Sequence, residues 1–193
     1  VCLEAGIGGE HDKTNVVENT LAACLLQVGY DHTELLGSTL REITREKCGI
    51  IKPGCTVVSY PAQPPEAAAV IAERAAQAGC PLVVPPVESI HCYKEQAFRN
   101  YLHYKGISLP LPFSGKHQAY NAAVVVEAML ALRKKGFEIA DKDIIDGIKA
   151  ATSPARIEVI CKKPLVILDG AHNVDSARAL ANTLAEEGVA GLT

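Results

Sequence analysis

The chain has 193 residues, 48% of them hydrophobic and 21% charged, and carries a formal net charge of −3. That balance describes a folded domain rather than a disordered segment, and it offers no basic footprint for nucleic acid. No apolar run approaches the roughly 18 residues of a membrane helix, and Val1 to Gly6 lack the basic and apolar regions of a signal peptide.

In chain order, 20–28 (TLAACLLQV), 55–60 (CTVVSY) and 81–84 (PLVV) are short apolar runs bounded by Gly, Pro or Asp, and they read as buried strands. Between them, Thr39-Leu40-Arg41-Glu42 is a capping box opening a helix through about Lys47. Glu66 to Ala78 is an Ala-rich helix stopped by Gly79. Strand, helix and strand in alternation imply a parallel sheet with crossover helices. Residues 85–115 read as irregular and rich in turns. Lys116 to Lys135 gives the longest helix, ended by Gly136, and Asp141 is expected to cap a shorter one over Lys142 to Ala151. Thr152-Ser153-Pro154 reads as a linker. A strand over Leu165 to Leu168 and a helix from about Asp175 to Glu187 follow. One α/β domain is therefore expected over 1–153, with the start of a truncated second α/β domain over 154–193. The chain opens without Met on an apolar pair that reads like a strand end, and both its ends are expected to be cut. Seven cysteines, odd in number and without a Cys-x-x-Cys pair, are expected to be reduced thiols in a cytoplasmic protein.

Several short motifs carry chemistry. Glu4-Ala5-Gly6-Ile7-Gly8-Gly9 puts a carboxylate before a glycine-rich turn, either a ligand site at a strand end or a structural turn. Asp31-His32-Thr33 offers a metal or phosphate ligand, or an ordinary structural histidine. Ser114-Gly115-Lys116-His117 fails the phosphate-loop pattern, yet His117, Gln118 and Asn121 fall in the first turn of a long helix, where free amide N–H groups favour anions. Asp169-Gly170-Ala171-His172-Asn173 joins a strand to a helix. That is a nucleotide-site arrangement in open α/β sheets, or a turn with a helix cap.

Each motif is weak alone, but their order is specific. Glu4 to Val16, Asp31 to Gly37, Glu46 to Gly54, Gly115 to Ala123, Arg156-Ile157-Glu158 and Asp169 to Asn173 together resemble the folylpolyglutamate and dihydrofolate synthase family of the Mur ligase superfamily. The resemblance implies a Mur-ligase-like central domain with a mostly parallel sheet and flanking helices. It also implies activation of a folate or dihydropteroate carboxylate by ATP as an acyl phosphate, followed by attack of the amine of L-glutamate, with Mg²⁺ neutralising the phosphates. By position, Glu4 and His32 would be Mg²⁺ ligands, and His32 and Lys47 catalytic groups, with Lys47 carbamylated to an oxygen donor. Gln118, Asn121, Arg156, Asp169 and His172 would contact ATP, Arg156 toward phosphate and Asp169 toward ribose. A monomer without nucleic-acid or membrane partners is expected. The chain departs from the family pattern at Glu10, Ala155 and Val174, and it contains no Walker-type loop, which the family carries N-terminal to the position of Glu4. The isolated chain is therefore expected to be inactive. Alternatives are a fragment of a peptidoglycan-precursor ligase and a non-catalytic binding fragment.

Overall fold

The computed structural model describes residues 1–191. They form two compact units, one of Val1–Val87 with Val124–Glu138, the other of Glu88–Ala123 with the residues from Ile139 onward. This partition differs from the division at 153/154 expected from the sequence.

The first unit is the parallel layer anticipated from the strand–helix–strand alternation. Strands β1 (Ala22–Leu25), β2 (Thr56–Ser59) and β3 (Leu82–Val83) lie in the order β1-β2-β3, with Ala23 opposite Val57 and Val57 opposite Leu82. β2 is central and buried at every residue, which is why its sequence is a continuous apolar run rather than an alternating one. β3 is shorter than the apolar run 81–84 suggested, because Pro81 has no N–H for the ladder; its carbonyl still accepts from Val57 N at 2.9 Å. Short helix α1 (Thr33–Leu36) precedes α2 (Leu40–Lys47), and α3 (Pro65–Gln77) follows β2. The capping box is formed as read: Thr39 accepts from Glu42 N, and the Glu42 carboxylate accepts from Thr39 N. α3 opens on Pro65, whose missing N–H costs nothing in a first turn. Val70, Ile71 and Ala75 of α3 pack with Ala23, Leu25, Val57, Cys55 and Cys80. Each large aliphatic side chain buried there contributes about 1.5–3 kcal/mol.

The second unit departs from expectation at residues 85–115, which are regular. β4 (His91–Gln96), β5 (Arg99–Tyr104) and β6 (Ile107–Leu111) form an antiparallel sheet in that order. Lys105 and Gly106, both at positive φ, make the two-residue turn that suits right-twisted hairpins. Leu102, Tyr104, Ile107, Leu109 and Leu111 face inward, and Pro110 is tolerated because β6 is an edge strand. Helix α4 (Lys116–Lys134) follows, as expected; its residues up to Ala123 belong to this unit and those from Val124 to the first. In α5 (Asp141–Ala150) the cap lies one residue earlier than read: Asp141 is already helical, and the Asp143 carboxylate accepts from Ala140 N at 2.7 Å. The strand over 165–168 is present as β8 (Leu165–Leu168), paired antiparallel with β7 (Glu158–Lys162), which the sequence did not suggest. α6 (Val174–Glu186) is capped by Asn173, whose Oδ1 accepts from Ser176 N at 2.9 Å.

Candidate functional site

In the first unit, the glycine-rich segment 4–15 closes onto the C-terminal end of α2. Asp12 folds the segment on itself. Its Oδ2 accepts from Gly6 N and Ile7 N at 2.9 and 3.1 Å, and its Oδ1 accepts from Thr14 N and Thr14 Oγ1. These bonds, that from the Thr14 hydroxyl first, hold the Asp12 carboxyl down at about 2. Glu46 then fastens the segment to α2. The Glu46 carbonyl accepts from Glu10 N at 2.8 Å, and its carboxylate accepts from His11 N at 3.0 Å and faces His11 Nδ1 at 3.0 Å. The Glu46 hydrogen bond raises the His11 pKa above its ordinary value. Burial pushes the Glu46 carboxyl up, but the His11 bonds outweigh it and leave it lowered. Asn15 completes the seam by donating to the carbonyls of Glu10 and Gly49. The glycines are required by contact: a Cβ on Gly9 would lie 2.6 Å from the Lys47 carbonyl oxygen, and one on Gly49 would strike the backbone of Glu10.

This seam borders a cavity of about 710 Å³ lined by Glu4, Asp12, Lys13, Thr14, Leu36 and Glu46, among others. Neither His32 nor Lys47 lines it. No strand precedes Glu4 among the described residues; Val1–Ala5 is irregular and Glu4 is exposed. His32 does not directly follow β1 either. It is exposed, sits at φ 48° as the first cap of α1, and its ring lies 3.9 Å from Asp31. Lys47 is half-buried as the last residue of α2. Among the described residues no group of three or more His, Cys, Asp or Glu side chains is placed to hold a metal. Mg²⁺ needs no such group, since it takes one or two carboxylates and completes its shell with water and phosphate oxygens. The exposed Glu4 carboxylate on the cavity wall fits that demand.

In the second unit, Asp169 draws two loops together. Its Oδ2 accepts from Ile157 N and its Oδ1 from Ala171 N, both at 2.8 Å, while Gly170 N donates to the Ala155 carbonyl at 2.8 Å. Ala155 and Ile157, at φ 58° and 52°, take left-handed turns that bring Arg156 out to solvent. Burial lowers the pKa of His117 in the first turn of α4, with Asp169 opposing and Arg156 adding to the effect, so these three groups share one electrostatic neighbourhood. Gln118 and Asn121 lie on the same turns, and Asn121 Nδ2 donates to Gln118 Oε1 at 3.2 Å. His172 Nδ1 lies 2.8 Å from the Gly170 carbonyl. The arrangement therefore combines an exposed guanidinium, a carboxylate committed to backbone amides, and a helix N-terminus. Because both Asp169 oxygens already accept backbone N–H groups, its first task here is to hold the loop carrying Arg156. Sequence reading gave no role to Glu46, His11 or Asp12. The Asp12-x-Thr14 pattern, which forms a side-chain-stabilised turn, was the available signal.

No protein-family model matches the chain. It is 36% identical over 193 residues to the dihydrofolate synthase/folylpolyglutamate synthase of Bacillus subtilis, covering 95% of this chain and 44% of that protein. It is 35% identical to the Escherichia coli protein of the same name, covering 95% and 42%. Among solved structures, an FPGS–AMPPCP–folate complex superposes with a TM-score of 0.85 at 31% identity, covering 95% of this chain and 46% of that one. The Mycobacterium tuberculosis folylpolyglutamate synthase complexed with ADP and AMPPCP superposes at 0.80 and 30%, covering 95% and 43%. The chain thus spans less than half the length of these relatives, and the α/β fold with its parallel sheet is theirs.

Proposed function

We propose that this chain is part of a folylpolyglutamate/dihydrofolate synthase that joins L-glutamate to a folate or dihydropteroate carboxylate at the expense of ATP, through an acyl phosphate. The observation that carries the reading is the superposition, over 95% of the chain, on an FPGS–AMPPCP–folate complex. The chain's own residues suit parts of that task. Arg156 offers an exposed guanidinium for phosphate, Gln118 and Asn121 lie on the first turns of α4, and His172 lies on the loop that Asp169 braces. Glu4 would hold Mg²⁺ through one carboxylate, with His32 as a second ligand and Lys47, carbamylated, supporting the metal site. When bound, that ion supplies charge neutralisation for the phosphates. The Asp12–Glu46 seam keeps the glycine-rich segment fixed, and such positioning accounts for much of the rate in phosphoryl transfer.

The proposal extends to a domain division at 153/154, a monomer, and a cytoplasmic setting. No helix among the described residues is long and apolar enough to cross a membrane. It also holds that the 193 residues alone do not turn over, because they carry no glycine-rich loop with the lysine that cradles a triphosphate. The test is formation of a glutamylated pterin that depends on both ATP and glutamate, with the full-length protein and the 193-residue chain assayed side by side. Turnover by the former and none by the latter is expected. Equal turnover, or none by the full-length protein on dihydropteroate or any folate, contradicts the proposal.

A further inference from the structure

The antiparallel sheet of the second unit turns Leu102, Tyr104, Ile107 and Leu109 inward and the alternate residues outward. On the outward face His91 of β4, His103 of β5 and Ser108 of β6 form one row across all three strands, with His91 directly opposite His103 and His103 directly opposite Ser108. All three are exposed. The two imidazoles stack, with ring centres 6.5 Å apart and planes 23° from parallel. His103 Nδ1 lies 2.8 Å from Ser108 Oγ, which leaves Nε2 as the open nitrogen of that ring. Neither ring nitrogen of His91 is hydrogen-bonded to another described residue.

We propose that His91 and His103 together bind a transition-metal dication of the class that prefers imidazole, such as Zn²⁺. The inference stands apart from the ligase reading. An antiparallel ladder holds directly opposed side chains with their Cβ atoms about 4.5–5.5 Å apart, so both donors are in place before the ion arrives and little freedom is lost on binding. At Zn–N distances of about 2.0–2.1 Å, two imidazoles on one tetrahedral ion have ring centres roughly 5 Å apart, a separation the pair reaches by small side-chain rotations. A hydrogen bond at the second ring nitrogen is what usually orients a metal-bound histidine, and Ser108 makes one to His103. No third His, Cys, Asp or Glu among the described residues joins the pair, so water completes the shell. The site differs from the one expected at Glu4 in place and in chemistry, since Mg²⁺ takes oxygen ligands and passes over two imidazoles.

The experiment titrates the full-length protein and its H91A, H103A and H91A/H103A variants with Zn²⁺ by calorimetry, with Mg²⁺ in excess. Amide hydrogen exchange of β4 and β5 is followed with and without Zn²⁺. The parent should bind one Zn²⁺ more than the double variant, and each single variant should bind that ion roughly tenfold or more weakly. Exchange in β4 and β5 should slow on addition of Zn²⁺ in the parent and not in the double variant. Affinity should fall as pH is lowered, because protons compete for the ring nitrogens. Both histidines are exposed, so the variants should keep the fold, which circular dichroism checks; H91Q/H103Q replaces an alanine variant that does not fold. Equal Zn²⁺ stoichiometry and affinity in parent and double variant, undiminished binding in either single variant, unchanged exchange in β4 and β5, or displacement of the ion by Mg²⁺ overturns the proposal.

Discussion

Gly49→Ala tests the seam between the glycine-rich segment and α2 most sharply. Gly49 is buried in the turn that ends α2, and a Cβ there would lie 2.5 Å from the backbone nitrogen of Glu10 and closer still to its Cα. Ordinary contact begins at 3.4 Å, and no flexible side-chain tip is available to give way. The methyl must therefore push the backbone at residue 10 off α2. Two hydrogen bonds cross that contact: Glu10 N to the Glu46 carbonyl, and Asn15 Nδ2 to the Gly49 carbonyl. Each is worth about 0.5–1.5 kcal/mol, and overpacking adds about 1–3 kcal/mol. The reduced freedom of alanine in the unfolded chain returns only about 0.4–1 kcal/mol. A net loss of roughly 2–5 kcal/mol results if the segment stays docked, which lowers Tm by about 5–15 °C at this chain length. If the segment lifts instead, Tm changes less, but the amides of Glu10 and His11 lose their protection. Thermal unfolding and amide hydrogen exchange, measured together, read both routes. A variant with parental Tm and parental protection at Glu10 and His11 would refute the close packing.

The remaining expectations concern conformation and titration. Gly147 lies exposed in α5 with nothing within 4 Å of an added Cβ and no positive φ, so Gly147→Ala should stabilise the protein by about 0.5–1 kcal/mol, measured by urea unfolding. The His11–Glu46 pair should show a His11 pKa above 6.5 by NMR. Its contribution to the docked segment is full below 6.5 and fades as pH rises through the raised value, and Glu46→Gln should return His11 toward its ordinary titration. Asp12 works in the opposite sense: its contribution is present above 3.8 and is lost as pH falls through about 2. Burial raises the Cys48 and Cys55 thiols to about 11. Pulse alkylation read by mass spectrometry should therefore label exposed Cys2 in the native protein and leave Cys48 and Cys55 unlabelled until it unfolds.

The parallel layer was legible because β2 is buried on both faces and so reads as an uninterrupted apolar run, with a formed capping box and a Gly79 stop marking the helices between strands. The antiparallel sheet was not. Every residue of β4 is exposed, leaving no alternation to read, and Pro110 interrupts the β6 pattern although an edge strand tolerates it. The alternating Leu102, Tyr104, Ile107 and Leu109 around Lys105-Gly106 did carry a hairpin signal. β7 escaped notice because only its second and fourth residues are even half-buried. At the candidate site, Asn173 was legible as a cap and Asp169 as part of a strand-to-helix turn because Ser176 and Ala171 are local partners, whereas the bond from Ile157 N to Asp169, twelve positions apart, was not. The Glu46–His11 link joins residues 35 positions apart, and nothing in local pattern announces it.

The central claim, ligation through an acyl phosphate, is tested most directly by isotope transfer. The full-length protein is given ATP, glutamate and a folate labelled with ¹⁸O in the carboxylate that is to be joined, and the inorganic phosphate released is examined by mass spectrometry. Activation as an acyl phosphate leaves one substrate oxygen on phosphorus when the glutamate amine displaces it. The account predicts ¹⁸O-labelled phosphate in step with glutamylated product; product formed with unlabelled phosphate, or with pyrophosphate in its place, contradicts it.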